Sequence, residues 1–142
     1  MKENDSLLGG EENGGIFYAP HQCVRDGSMA AALMADILAQ TDKTFNNLVS
    51  DFPQYYQKKD SIDCPNKLKE KVMDYVKNNV QEASEIITID GVKLIYPDSW
   101  ILIRPSGTEP IFRIFAEAKT KNVAEKMIND GLGLVKRALK NI

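Results

Sequence analysis

Four short apolar runs crowd into residues 86–118, and they restrict the fold more than any other feature of the chain. The runs occupy 86–89, 92–96, 100–103 and 111–118, and turn-forming residues bound each of them. Asp90-Gly91 between the first two is a strong hairpin signal. Pro97-Asp98-Ser99 turns the chain between the second and third. Helical patterns flank the set. Over 67–81, Leu68, Val72, Val76 and Val80 recur at steps of four. Over 122–139, Ala124, Met127, Ile128, Val135, Ala138 and Leu139 share one face. Gly131 and Gly133 weaken that helix locally, by about 1 kcal/mol each relative to alanine. A further strand is expected over 55–62, closed by Asp63-Cys64-Pro65-Asn66. The order after Pro53 is therefore strand, helix, four strands, helix. Helices covering one face of a mostly antiparallel sheet make an α+β domain over 54–142.

Residues 1–53 differ. Leu7-Leu8 and Ile16-Phe17-Tyr18 read as short strands around a glycine-rich loop. Asp26 is placed to cap a helix whose Met29, Leu33, Met34, Ile37 and Leu38 share a face. Thr44 is placed to cap a second, with Phe45, Leu48, Val49 and Phe52 at helical spacing, and Pro53 stops it. Two short strands and two helices are too few to bury both faces of an α/β sheet, so this part reads as an incomplete α/β domain.

With 142 residues, the chain is one medium domain or two small ones. A formal charge of −2 with interspersed signs argues against nucleic-acid binding, which needs a basic patch. No apolar run approaches a membrane span, and Met1-Lys2-Glu3-Asn4-Asp5 does not begin a signal peptide, so a cytoplasmic protein is expected. Cys23 and Cys64 read as two free thiols rather than a disulfide. His21 and Cys23 lack companions for a metal site, and no metal is expected on this chain.

The chemistry concentrates in residues 104–113, Arg-Pro-Ser-Gly-Thr-Glu-Pro-Ile-Phe-Arg. Arg104 offers a planar fork of donors, and Ser106 and Thr108 add hydroxyls. Gly107 lets the backbone approach a ligand, so that amide groups form a nest for an anion. Pro105 and Pro110 limit the freedom lost on binding. These groups suit a phosphate monoester. The run is not a Walker loop, because no Gly-Lys-Ser/Thr stands at the required spacing. The alternative is an ordinary turn between strands.

Arg104-Pro105-Ser106-Gly107-Thr108-Glu109-Pro110 resembles the phosphate-binding loop of the α-D-phosphohexomutase family. Gly9-Gly10-Glu11-Glu12-Asn13-Gly14-Gly15 resembles its sugar-binding loop, with Asn13 in place of serine and Gly15 in place of histidine. The form is similar to archaeal-type phosphoglucosamine mutases and phosphomannomutases. Arg25-Asp26-Gly27 before a helix also fits, and the loops stand about 95 residues apart in the family's order.

The resemblance implies a TATA-binding-protein-like C-terminal domain over 54–142, which binds phosphate. It also implies the back end of the sugar-binding third domain over 1–53. It implies an isomerase that interconverts hexose 6-phosphate and 1-phosphate, of glucosamine or mannose, through a phosphoserine and a magnesium ion. Arg104, Ser106, Gly107 and Thr108 would hold the substrate phosphate, and Glu11 and Asn13 the sugar hydroxyls. No catalytic residue is assigned to these 142 residues, which contain neither an Asp-x-Asp-x-Asp metal loop nor a Ser-His-Asn-Pro serine loop. No cofactor is expected on this chain. Magnesium and the reacting serine are expected in preceding domains, which would be partners in trans. The alternative is a stand-alone phosphosugar-binding module or an inactive fragment. Arg113 has two readings, support of the phosphate or pairing with Glu117, and pairing is favoured. Glu109 is expected to orient the loop, and Trp100 and Phe112 to lie in the core. Whether His21 replaces the missing loop histidine stays open.

Overall fold

Every second residue of the strand Ile111–Ala118 is buried: Phe112, Ile114, Ala116 and Ala118. A period of two turns one side of a strand inward and the other outward. This strand therefore marks which face of its sheet is covered. The computed structural model describes residues 1–11, 13–80 and 82–142. Glu12, in the acidic loop, and Gln81, the expected end of a helix, lie outside the described residues. The chain divides into two units, Met1–Pro53 and Gln54–Ile142.

In the first unit β1 (Leu8–Gly10) pairs antiparallel with β2 (Ile16–Tyr18). Helix α1 (Gly27–Gln40) begins on Asp26, whose Oδ1 accepts the Met29 amide at 2.9 Å. Helix α2 (Phe45–Ser50) begins on Thr44, whose Oγ1 accepts the Asn47 amide at 3.3 Å. Both caps fall on the residues that local chemistry selects. No described residue of this unit is buried. Met34 and Ile37 of the α1 stripe stay exposed, as do Leu7, Leu8, Phe45 and Phe52. The apolar residues stand at core spacing without forming a core among the described residues of the unit.

The second unit runs β3 (Tyr56–Asp63), α3 (Lys69–Asn79), β4 (Glu85–Ile87), β5 (Val92–Tyr96), β6 (Ser99–Pro105), β7 (Ile111–Ala118) and α4 (Lys121–Asn141). This is the expected order. All pairings are antiparallel, and the strand order is β3-β7-β6-β5-β4. Phe112, Ile114 and Ala116 of β7 join Ile101 and Ile103 of β6, Val92 and Leu94 of β5, Val72 and Val76 of α3, and Val135 and Ala138 of α4 in one core. Both helices thus cover the same face of the sheet. Gly131 has a packing role that its helix propensity hides. A β-carbon there would lie 2.9 Å from Ile101 Cδ1 and 3.0 Å from Ile114 Cγ2, so the glycine lets α4 approach the sheet closely.

The β4–β5 connection departs from a two-residue turn. Ile86 pairs with Leu94 and Ile87 with Lys93, which centres the turn on Asp90. Ile89 therefore leaves the strand and is 93% exposed. Gly91 carries φ 92. A β-carbon there would clash with the Ile103 carbonyl oxygen and lie 2.6 Å from Arg104 Cβ. Positive φ and close approach both demand glycine, and together they hold this turn against the end of β6.

Gly91→Ala should therefore destabilise the second unit by more than about 1 kcal/mol. Gly107→Ala should stay within about 0.5 kcal/mol of the parent, because a β-carbon at Gly107 meets nothing within 4 Å. Urea unfolding followed by fluorescence of Trp100, the only tryptophan, measures both. Equal midpoints for the two variants would refute the packing of Gly91 on β6.

Candidate functional site

Residues 106–110 join β6 to β7, and three contacts shape this loop. The Ser106 amide donates to the Ile111 carbonyl at 2.9 Å, closing its base. The Cys64 amide donates to the Pro110 carbonyl at 2.8 Å, tying the loop to the end of β3. Lys69, at the start of α3, donates from Nζ to the Ser106 carbonyl at 2.5 Å and to the Glu109 carbonyl at 2.6 Å. Ser106 is buried, and its Oγ accepts the Thr108 amide at 3.4 Å and the Glu109 amide at 3.2 Å. Its hydroxyl proton remains available to donate. Gly107 and Thr108 are exposed.

Arg104 and Arg113 stand directly opposite each other across β6 and β7, at the base of the loop. Like charges in that position repel, and each has a carboxylate of its own. Arg104 Nη1 donates to Asp90 Oδ2 at 2.6 Å, while Arg113 pairs with Glu109. The Arg104 guanidinium also lies 5.7 Å from the Phe115 ring centroid. Its Nε is buried without a hydrogen-bond partner. These pairs are partly exposed, so each is worth only about 0–1 kcal/mol. Their effect is to order the side chains.

Arg113 does not pair with Glu117, the partner favoured from sequence. Glu117 accepts instead from Gln57 Nε2 at 2.6 Å and from Trp100 Nε1 at 3.1 Å. Trp100 is not in the core either. Burial of Ile101 and Ile103 turns it to the open face, where the Lys93 ammonium sits 4.5 Å from its ring centroid. Phe112 is fully buried, as expected. Sequence reasoning missed Asp90 and Lys69 as parts of the site. Asp90 reads only as a turn residue. Lys69 falls in a charged helix start, Lys67-Leu68-Lys69-Glu70-Lys71, which carries no signal of a loop contact.

In the first unit the Glu11 amide donates to the Gly15 carbonyl at 2.9 Å, and the Gly14 amide to the Glu11 carbonyl at 3.0 Å. Asn13 Oδ1 accepts the Gly15 amide at 3.3 Å. Glu11 Oε2 accepts from Arg25 Nη1 at 3.2 Å. A β-carbon on Gly15 would clash with Arg25 Cδ and lie 3.0 Å from its Cγ. Glycine at this position leaves room for the arginine stem that reaches Glu11. His21 is held by Asp26 instead of the loop, with Nε2 3.0 Å from Oδ2, and Gln22 Nε2 donates to the same oxygen at 3.3 Å.

Both cysteines are free. Burial pushes the Cys64 thiol above its ordinary range, and the nearby Lys69 charge offsets part of that. A thiol so placed is a poor nucleophile. Among the described residues no group of three His, Cys, Asp or Glu side chains is arranged to hold a metal ion. The residues described here do not fit a magnesium site. Among the described residues no helix is long and apolar enough to cross a membrane.

The Asp26 carboxyl is held below its ordinary pKa of 3.8, first by the Met29 amide and next by His21. A lowered folded pKa means that the unfolded chain binds the proton more readily. The cap's contribution is thus complete above pH 3.8 and lost as pH falls through the folded value. Carbon shifts of the first turn of α1 should hold their helical values down to pH 3.8 and lose them below it. In Asp26→Asn the same profile should be flat. A midpoint above 3.8 in the parent would refute this account of the cap.

Residues 1–56 match the family description "Phosphoglucomutase/phosphomannomutase, alpha/beta/alpha domain III", and residues 61–130 match the C-terminal domain of the same family. The chain is 45% identical over 132 residues to a phosphoglucosamine/phosphogalactosamine mutase of Sulfurisphaera tokodaii, covering 92% of this chain and 29% of that protein. It is 39% identical over 140 residues to a phosphoglucomutase/phosphomannomutase of Thermococcus kodakarensis, covering 99% of this chain and 31% of the relative. A crystal structure of a phosphoglucomutase/phosphomannomutase family protein from Burkholderia thailandensis matches with a TM-score of 0.78 at 25% identity, covering 96% of this chain and 29% of that one. The chain therefore spans less than a third of each of these proteins. Two consecutive domains of one family, matched in order, and relatives aligned over nearly all 142 residues show that the chain belongs to the phosphoglucomutase/phosphomannomutase family of phosphohexomutases.

Proposed function

We propose that this chain is the substrate-binding portion of a phosphohexomutase that interconverts hexose 6-phosphate and hexose 1-phosphate. Arg104, Ser106, Gly107 and Thr108 grip the phosphate that does not react. Arg113 supports the loop through Glu109. Glu11 and Asn13 accept hydrogen bonds from sugar hydroxyls. On this reading residues 1–53 are the later part of the sugar-binding third domain, and 54–142 are the phosphate-binding C-terminal domain. The observation that carries the proposal is the loop after β6. Two arginines stand in register at its base, a buried hydroxyl organises its amides, and it presents Gly107 and Thr108 to solvent.

Gripping a remote phosphate supplies binding energy that orients the sugar for the transfer step. The names of the relatives support glucosamine phosphate or mannose phosphate as the substrate class. Glu11 and Asn13 would read hydroxyls common to several hexoses, so they do not choose between the two. The reacting serine and the magnesium ion of the family belong to segments outside these 142 residues. Those segments are the partners that would complete the site. The exposed apolar residues of α1 and α2 are the surface on which the earlier part of the third domain would pack.

A second reading rests on the absence of Asp-x-Asp-x-Asp and Ser-His-Asn-Pro loops from these 142 residues. By itself the chain binds phosphosugar and turns nothing over. A coupled mutase assay on the purified chain should show no product. Turnover that survives Ser106→Ala would defeat this division of roles.

NMR titration of the chain with inorganic phosphate tests the binding half. Weak, millimolar binding is expected, with shifts concentrated at Ser106, Gly107 and Thr108 and an affinity that falls with added salt. Arg104→Ala should abolish it. Arg104→Lys should weaken it, because an ammonium lacks the bidentate fork. No shifts up to tens of millimolar phosphate would reduce the loop to an ordinary turn.

A further inference from the structure

The loop at 106–110 is irregular, so the direction of its peptide planes decides what it offers a ligand. Two of its carbonyls, Ser106 and Glu109, accept from one ammonium group, Lys69 Nζ, at 2.5 Å and 2.6 Å. The peptide bonds are trans, and in a trans peptide the C=O and the following N–H point in opposite directions. Drawing the Ser106 carbonyl onto Lys69 therefore turns the Gly107 N–H away from Lys69. The Glu109 carbonyl belongs to the peptide that ends on Pro110, which has no N–H, so nothing is lost by turning it inward. Carbonyl oxygens facing an anion would repel it. With both carbonyls held on the ammonium, and the Glu109 oxygen also accepting the Ile111 amide at 2.8 Å, neither of the two is turned toward an anion on the opposite side of the loop.

Lys69 is half-buried at the start of α3. Hydrogen bonds from a charged donor are roughly twice as strong as neutral ones. Among the described residues Lys69 has no carboxylate partner, whereas Arg104 and Arg113 each have one. Its charge is directed at the two carbonyls. The Cys64 amide on the Pro110 carbonyl holds the same end of the loop, two residues before the start of the 3₁₀ turn (Asn66–Leu68) that leads into α3.

We propose that Lys69 is a positioning residue of the phosphate site. It orients the loop for the anion by holding the Ser106 and Glu109 carbonyls, and it does not itself touch the phosphate. This rests on the reading of the loop as a phosphate site. The experiment is phosphate titration of the full chain, followed by amide and carbonyl NMR shifts, in the parent, Lys69→Met and Lys69→Arg.

Lys69→Met should weaken phosphate binding at least tenfold. In the unliganded variant the Ser106 and Glu109 carbonyl shifts and the Gly107 amide shift should move, while amide exchange in α4 stays at the parent rate. Lys69→Arg keeps a cation that can donate to two carbonyls and should recover most of the affinity. Should Lys69→Met fail to fold, Lys69→Gln, which keeps an uncharged donor, should bind at an intermediate strength. Parent-like affinity in Lys69→Met, or in Lys69→Gln where that stands in for it, overturns the inference and leaves the phosphate site intact. No phosphate binding by the parent overturns the underlying reading instead, and the positioning role with it.

Discussion

Phe112, Ile114 and Ala116 can enter the core only together, because a slip of one residue in β7 would turn all of them to solvent. β7 lies between β3 and β6, and each neighbour is held in a register that this burial selects. Burying a phenylalanine or isoleucine side chain is worth about 1.5–3 kcal/mol, so the row outweighs anything on the opposite face. The opposite face takes what remains. Arg113, Phe115 and Glu117 are turned outward on β7, and Trp100, Leu102 and Arg104 on β6.

That requirement places two guanidinium groups side by side. Asp90 reaches Arg104 from a neighbouring hairpin, and Glu109 reaches Arg113 from the loop itself. Pairs this exposed add little stability. They settle orientation, so the side chains at the base of the loop are ordered before any ligand arrives. Gly91 belongs to the same arrangement. A side chain there would push the Asp90 turn off β6 and take the carboxylate away from Arg104.

The two units illustrate different sources of order. In 54–142 a single core fixes the site from beneath. In 1–53 order comes from local hydrogen bonds: the caps on Asp26 and Thr44, the Glu11–Gly15 bonds and the Arg25–Glu11 pair. Local bonds of this kind shape a loop without burying it. The sugar-binding role proposed for Glu11 and Asn13 accordingly depends on further surface being supplied, whereas the loop at 106–110, proposed to bind phosphate, is built from one unit.

Local pattern alone determined much of this protein. Apolar spacing yields the order strand, helix, four strands, helix, and short polar side chains mark the caps. The run from Arg104 to Pro110 marks the loop because its donors are adjacent in the chain. Other features were decided by tertiary structure. Trp100-Ile101-Leu102-Ile103 is apolar throughout, so no alternation shows that Trp100 faces outward; packing of Ile101 and Ile103 under α4 decides it. Glu117 suits Arg113 by strand spacing, but Gln57 and Trp100 already hold it. Asp90 meets Arg104 only because Gly91 can press against β6. Lys69 meets the loop from 37 residues away in sequence. Such contacts carry no periodic signal, because a charged side chain reads as solvated wherever it stands. Only the packing of α3 beside the loop gives Lys69 two carbonyls to hold.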